Sequence, residues 1–126
     1  ALVIHSPLVM KSSGRLNNED WDPHAYGNMD GLFLEGTWNC KFAEEVMPQD
    51  ADVILTNRTN FSAFKGTNLK DTIEAKGIKR LFVTGFLSNV CVQDTTIEAS
   101  ELFPDLKVYV LVDGCAAKSK QVRTDV

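Results

Sequence analysis

The sequence predicts an α/β fold built around a parallel sheet, and two observations carry that prediction. Short, almost wholly apolar segments recur along the chain at residues 1–5, 52–56, 80–84 and 107–112. Segments with the apolar spacing of helices lie between the last three of them. Strands that are apolar on both faces are typical of parallel sheets, because helices connect parallel strands and cover the sheet.

The two predicted helices have recognisable ends. Residues 68–77 form the first helix, and Gly77 stands where a C-terminal cap favours a left-handed backbone. Residues 90–103 form the second helix, which Pro104 stops because proline lacks a backbone N–H and clashes with the preceding turn. The alternation of strands and helices therefore favours an open α/β sandwich.

Composition limits the classes of function. With 126 residues, of which 44% are hydrophobic and 24% charged, the chain has the properties of one globular domain. The net charge of -4 and the scattered cations argue against a nucleic-acid partner. No apolar run approaches the ~20 residues of a membrane span, so no membrane association is expected. Three cysteines without paired or metal-binding spacing predict a reducing, cytoplasmic location.

Cys91 is the strongest candidate for chemistry. It follows the strand at 80–84 by a short turn that contains Gly85, and it falls in the first turn of the next helix. Unpaired backbone N–H groups and the helix dipole lower the pKa of a cysteine there, and the same N–H groups can hold an oxyanion. The alternative interpretation is a small buried residue that packs the start of the helix.

Four segments form a further pattern, and they occur in a fixed order along the chain. They are FSAFKGTNL at 61–69, KGI at 76–78, VTGFLSNVCV at 83–92 and VDGCA at 112–116. In this order they resemble the isochorismatase-like cysteine hydrolases, which include nicotinamidases, isochorismatase and carbamoyl amidases. Weaker matches extend the resemblance to Ala1. It implies a Rossmann-like three-layer sandwich, of which residues 1–126 form one partial domain.

The resemblance also implies a mechanism. Members of the family use an Asp, a Lys and a Cys, and the cysteine attacks an amide or related carbonyl to give a thioester. Cys91 matches the nucleophile, and Arg58 stands at the position of the lysine. The resemblance further implies a cis peptide bond at Phe86–Leu87, with the backbone N–H groups of Leu87 and Cys91 as the oxyanion hole. A small amide, carbamoyl or enol-ether substrate and a homo-oligomer are expected.

Two departures from the family pattern leave alternatives open. Arg58 keeps a positive charge but cannot give up a proton near neutrality, and the alternative interpretation is a surface arginine at a strand end. No segment supplies the strand that ends in the family's aspartate, which leaves Asp20, Asp22 and Asp30 as candidate bases. The chain is therefore either a hydrolase or an inactive relative that binds a partner or forms oligomers. A third alternative is a flavodoxin-like binding module with an inert Cys91.

The remaining candidates are weaker. Trp38 and Phe64 are candidates to line a pocket for the substrate, although each is equally typical of core or loop packing. Asp22 and His24 are separated by one proline and lack the residues that usually flank a metal-binding pair. Since a surface histidine is the commoner role, neither a metal nor another cofactor is expected.

Overall fold

A computed structural model describes residues 1–10 and 33–117 of the chain. The chain divides into two compact units, of which the first comprises Ala1–Asn60 with Lys65–Asn68 and the second Phe61–Phe64 with Leu69–Val126. The regular elements are β1 (Ile4–His5), β2 (Val53–Ile54), α1 (Leu69–Ala75), β3 (Arg80–Phe86), α2 (Gln93–Leu102) and β4 (Lys107–Ala116). These elements confirm the predicted order of strands and helices.

The first unit contains a two-stranded parallel sheet. Ile4 pairs with Val53 and His5 with Ile54, and the backbone N–H of Leu55 donates to the carbonyl of His5 over 2.8 Å. Both strands are shorter than the segments 1–5 and 52–56 predicted from the sequence, because the ladder covers only two residues on each.

The second unit contains the strand–helix–strand arrangement β3–α2–β4. Its strands are parallel, with Arg80 opposite Lys107 and Val83 opposite Val110. The register then shifts, and the ladder resumes with Gly85 opposite Cys115. Both strands therefore continue past the predicted ends at 84 and 112, because the ladder resumes beyond this bulge.

Helix α1 ends in a Schellman motif. Gly77 has φ +59°, its N–H donates to the carbonyl of Glu74, and the N–H of Ile78 donates to the carbonyl of Ile73. The left-handed backbone at Gly77 confirms the predicted cap, because glycine adopts this conformation without a Cβ clash. The helix is shorter than the predicted 68–77 because its last residues form this motif.

The second predicted helix begins earlier than expected. A π-helical turn at Ser88–Val92 precedes α2, so the helical backbone starts before residue 90. At the other end Phe103 leaves the helix with φ -130° and ψ 79°, as the residue before Pro104 must. Among residues 1–10 and 33–117, no helix is long and apolar enough to cross a membrane.

The sheet of the second unit has one exposed face. The buried hydrophobic residues of this unit come from both helical segments, β4 and the segment 61–64: Phe61, Ala63, Phe64, Leu69, Ile73, Val90, Val92, Ala99 and Cys115. In contrast, Phe82, Phe86 and Tyr109 are exposed, and the rings of Phe82 and Tyr109 stack with centroids 5.1 Å apart. The expectation of strands buried on both faces is therefore wrong for this part of the sheet, where burial alternates along β3.

The close approach of Gly114 to Thr84 allows the packing across the bulge to be tested by substitution. A Cβ added to Gly114 would lie 2.2 Å from Thr84 Oγ1, so Gly114→Ala should destabilise the fold by about 1–3 kcal/mol. In a Thr84→Ala background the same substitution should cost less, because the obstructing hydroxyl is gone. Denaturant unfolding of both single variants and the double variant measures this coupling. Additive losses would contradict the predicted contact.

Candidate active site

A sharp turn joins β3 to the helix that carries Cys91. Gly85 has φ +124°, a conformation that residues with side chains rarely adopt, and the following peptide bond Phe86–Leu87 is cis. Leu87 is extended, and its carbonyl accepts the N–H groups of Val90 over 3.1 Å and Val92 over 3.2 Å. The cis bond lies where the resemblance to the family implied it.

Cys91 lies in the π-helical turn that opens the helical segment. Its side chain is partly exposed, whereas Cys115 is buried in β4 and Cys40 donates its thiol hydrogen to the carbonyl of Leu34 over 3.1 Å. The first turn of a helix carries the positive end of the backbone dipole, which favours a thiolate. Single π-helical turns are frequent at functional sites. Cys91 thus combines access with an environment that suits a nucleophile.

Two side-chain hydroxyls bind this turn to the end of β4. Thr84 Oγ1 donates to the carbonyl of Gly114 over 2.6 Å, and Ser88 Oγ donates to the carbonyl of Ala116 over 3.0 Å. Ser88 is only 1% exposed. Sequence reasoning did not single out either hydroxyl for this role, because both acceptors are backbone atoms distant in the chain.

Helix α2 also holds the segment that precedes α1. The N–H of Ala63 donates to Thr95 Oγ1 over 3.0 Å, and the hydroxyl of Ser62 donates to the carboxylate of Glu98. Thr95 and Glu98 lie one and two turns beyond Cys91. The helix that begins with the thiol therefore fixes the FSAF segment within the same unit.

The two aromatic candidates for a substrate pocket lie in different environments. Phe64 is 5% exposed, and its ring packs beside that of Phe103 with centroids 6.3 Å apart, which places Phe64 in the core of the second unit. Trp38 is 82% exposed and borders an open groove in the first unit, together with Phe33 and Phe42. The groove beside Trp38 has room for an aromatic ring.

Arg58 is buried, so the alternative of a surface arginine is wrong. Its side chain lies within the first unit at 7% exposure. Nη1 donates to the carbonyl of Ser6, and Nε donates to the carbonyl of Asn60 over 3.2 Å. The carbonyl of Arg58 in turn accepts the N–H of Val9 over 3.1 Å. The residue therefore ties the chain after β1 to the segment after β2.

The candidate bases and metal-binding residues of the sequence lie outside the described residues. They are Asp20, Asp22, His24 and Asp30. Within 1–10 and 33–117, no group of three or more His, Cys, Asp or Glu side chains is arranged to hold a metal ion.

Comparison with known proteins identifies the family. The family model of the isochorismatase domain matches residues 1–125. This chain belongs to the isochorismatase family. An isochorismatase family protein from Desulfovibrio vulgaris superposes with a TM-score of 0.83 at 26% identity, covering 98% of this chain and 63% of that one. An isochorismatase-like hydrolase from Alkaliphilus metalliredigens is 33% identical with a TM-score of 0.67, covering 73% and 50%.

Among curated relatives of this isochorismatase-family chain is a ureidoacrylate amidohydrolase. The protein, RutB from Agrobacterium fabrum, is 37% identical over 71 residues, which make up 56% of this chain and 31% of the relative. The match thus spans about a third of the length of that relative. Family membership and the structural likeness together confirm the predicted α/β, isochorismatase-like fold.

The first unit of this isochorismatase domain contains a hydrogen bond between two side chains, His5 and Asp52, that the sequence did not predict. His5 Nε2 lies 2.9 Å from Asp52 Oδ2, and the ring of Phe42 meets the imidazole edge-on at 5.4 Å between centroids. The backbone N–H of Gln49 also donates to Asp52 Oδ2 over 2.9 Å. This backbone hydrogen bond, followed by the one to His5, lowers the pKa of Asp52 below its ordinary 3.8. The pair therefore joins β1 to the residue before β2.

The lowered pKa of Asp52 predicts a specific dependence of stability on pH. The ionised carboxylate stabilises the folded state above the ordinary pKa of 3.8, and this contribution is lost as the pH falls through the lower folded-state pKa. Asp52→Asn should therefore reduce the melting temperature at neutral pH more than at the acid end. Circular dichroism melts from neutral to acid pH measure the difference. Asp50→Asn, at an exposed neighbour, is the matched control, and equal pH profiles for both variants would contradict the assignment.

Proposed function

We propose that this protein is a cysteine hydrolase of small amides or ureides, with Cys91 as the nucleophile. The observation that carries the proposal is the turn between β3 and α2, where a partly exposed thiol follows the left-handed backbone of Gly85 and occupies the first helical turn. A nucleophile placed there meets the positive end of the helix dipole and backbone donors for an oxyanion. Membership of the isochorismatase family supports the same chemistry.

The reaction proceeds through a thioester. The Sγ thiolate of Cys91 attacks the carbonyl carbon, a C–S bond forms, and the π electrons of the carbonyl move to its oxygen. The N–H groups of Leu87 and Cys91 donate to this oxyanion. Collapse breaks the C–N bond, and the nitrogen leaves with the proton that the thiol gave up. Water then adds to the thioester, and cleavage of the C–S bond releases the acid and restores the thiol.

An amide or ureido carbonyl is the substrate that the comparisons favour. The curated relative at 37% identity is named for hydrolysis of ureidoacrylate, a small ureido acid. We therefore assign the substrate to small molecules with a carbamoyl or carboxamide group.

Arg58 has an electrostatic role in this proposal. A guanidinium remains charged at every physiological pH, so it cannot act as the proton carrier that a lysine provides. Its hydrogen bonds to the carbonyls of Ser6 and Asn60 hold it in one position, which suits a fixed positive charge. A carboxylate must then act as the base, and Asp20, Asp22 and Asp30 are the candidates within this sequence.

The alternative is an inactive relative that binds a partner or assembles with itself. It is favoured by arginine at the lysine position. A guanidinium does not give up a proton near neutrality, so slow turnover is expected even if the hydrolase proposal holds. Under either proposal the protein is expected in a reducing, cytoplasmic compartment.

Replacement of the nucleophile separates these alternatives. Cys91→Ala should reduce release of ammonia from ureidoacrylate and other small carboxamides to the uncatalysed background, because no thioester can form. The fold should be retained, since truncation of a partly exposed cysteine costs about 1 kcal/mol or less. Cys40→Ala, which removes another partly exposed thiol, is the matched control and should keep full turnover.

Alkylation gives the same test without a substrate. Iodoacetamide should label Cys91 well below pH ~8.5 and before Cys40 or Cys115, because only the thiolate reacts. Equal and slow labelling of all three cysteines, or turnover retained by Cys91→Ala, would contradict the proposed nucleophile and favour a binding module.

The expected homo-oligomer has a direct test. A chain with the exposed aromatic face of Phe82, Phe86 and Tyr109 should associate at micromolar concentration, since large exposed apolar patches are rare on monomers. Gel filtration with light scattering should give a mass that is a multiple of the chain mass. A Tyr109→Ser variant should weaken the association, and Trp38→Ser is the control for loss of an exposed aromatic residue elsewhere. A concentration-independent monomer would contradict the expectation.

A further inference from the structure

The hydrogen-bonded ladder between β3 and β4 is interrupted just before the turn that leads to Cys91. From Val83 to Gly85 the chain advances two residues along β3, while the partners advance five along β4, from Val110 to Cys115. The irregular stretch of β4 therefore separates the regular ladder from the pairs at Gly85 and Phe86. Beyond this irregular stretch only two pairs, Gly85 with Cys115 and Phe86 with Ala116, hold the end of β3 beside β4, so side-chain contacts next to them add to the placement of the turn.

Two hydroxyl groups make such contacts on either side of the cis peptide bond. Thr84 precedes the bond and donates to the carbonyl of Gly114, while Ser88 follows it and donates to the carbonyl of Ala116. The residues between them carry the glycine turn and the N–H of Leu87. Each hydroxyl acts on the backbone that flanks the proposed oxyanion hole.

The burial of Ser88 adds weight to its contact. At 1% exposure its hydroxyl is shielded from solvent, and a buried donor must find an acceptor within the protein. Among the contacts of the described residues, the carbonyl of Ala116 is the acceptor that satisfies this hydroxyl. The start of the π-helical turn is therefore bound to the end of β4.

We propose that Ser88 and Thr84 are positioning residues, which hold the N–H of Leu87 where the oxyanion forms. This inference rests on the proposed hydrolase function and extends it to two hydroxyls that donate to backbone carbonyls of β4. Oxyanion stabilisation depends on donors that are in place before charge develops. Because a displacement of about 1 Å can cost about 10²-fold in rate, loss of either contact should slow acyl transfer.

The inference predicts a separation between two reactions of the same thiol. Hydrolysis of an amide passes through an oxyanion, so it requires the positioned N–H groups. Alkylation by iodoacetamide is a displacement at a saturated carbon, in which the C–I bond breaks and no oxyanion forms. Variants that lose only the positioning should therefore hydrolyse slowly while Cys91 is alkylated at the original rate.

The experiment compares four variants of the full-length protein. Ser88→Ala and Thr84→Val each remove one hydroxyl, and Thr84→Ser removes only a methyl group and keeps the donor. Ser100→Ala is the matched control, because it removes a helical hydroxyl that donates to the carbonyl of Thr96 over 3.1 Å on the exposed face of α2. Ammonia release from ureidoacrylate gives kcat and KM, mass spectrometry gives the alkylation rate of Cys91, and thermal melts report folding.

The expected result is a fall in kcat of about 10–100-fold in Ser88→Ala and Thr84→Val, with KM and the alkylation rate unchanged. Thr84→Ser and Ser100→Ala should retain the original kcat. Unchanged kcat in both hydroxyl-lacking variants would overturn the positioning role alone. A parallel fall in turnover and alkylation would also overturn it, because the effect would then lie on the thiol. If Ser88→Ala does not fold, Thr84→Val alone decides between these outcomes. Absence of turnover in the unaltered protein would refute the hydrolase proposal and this inference together.

Discussion

The backbone conformation of Gly85 is the constraint on which the site depends. With φ +124°, this residue turns the end of a strand into the start of a helix within a few residues. A side chain at that position would oppose the conformation, since residues with a Cβ rarely adopt a φ this far into the positive range. The short connection between β3 and the helix places the thiol of Cys91 in the first helical turn. There the thiol is partly exposed and lies at the positive end of the helix dipole.

The sequence predicted those features that depend on local pattern. Apolar runs located β3 and β4, glycine located the end of α1, and the strand–turn–helix order placed Cys91 at the start of a helix. The sequence predicted longer strands than the two-residue β1 and β2. The length of a strand also depends on how far its partner strand pairs with it, which local pattern does not reveal. The exposed face of β3 was also missed, since composition does not reveal what covers a sheet.

Contacts between distant parts of the chain were beyond prediction. Arg58 is buried because the carbonyl of Ser6 accepts from its guanidinium, and no local pattern links residues that far apart. The hydroxyl of Ser88 is ordinary in sequence and significant only beside Ala116. Likewise the pairing of His5 with Asp52 results from the register of two strands. In each of these contacts the two partners are far apart in the sequence, and only the tertiary fold brings them together.

The bulge in β4 has a consequence for divergence within the family. Residues 111–114 lie between two sets of paired residues, with Val110 opposite Val83 on one side and Cys115 opposite Gly85 on the other. A residue gained or lost among residues 111–113 leaves both sets of pairs intact, whereas Gly114 is held in place by the hydrogen bond from Thr84 to its carbonyl. Alignments of relatives across this stretch should accordingly be anchored on Gly114 and on the paired residues at the two ends, and residues 111–113 treated as free to vary in number.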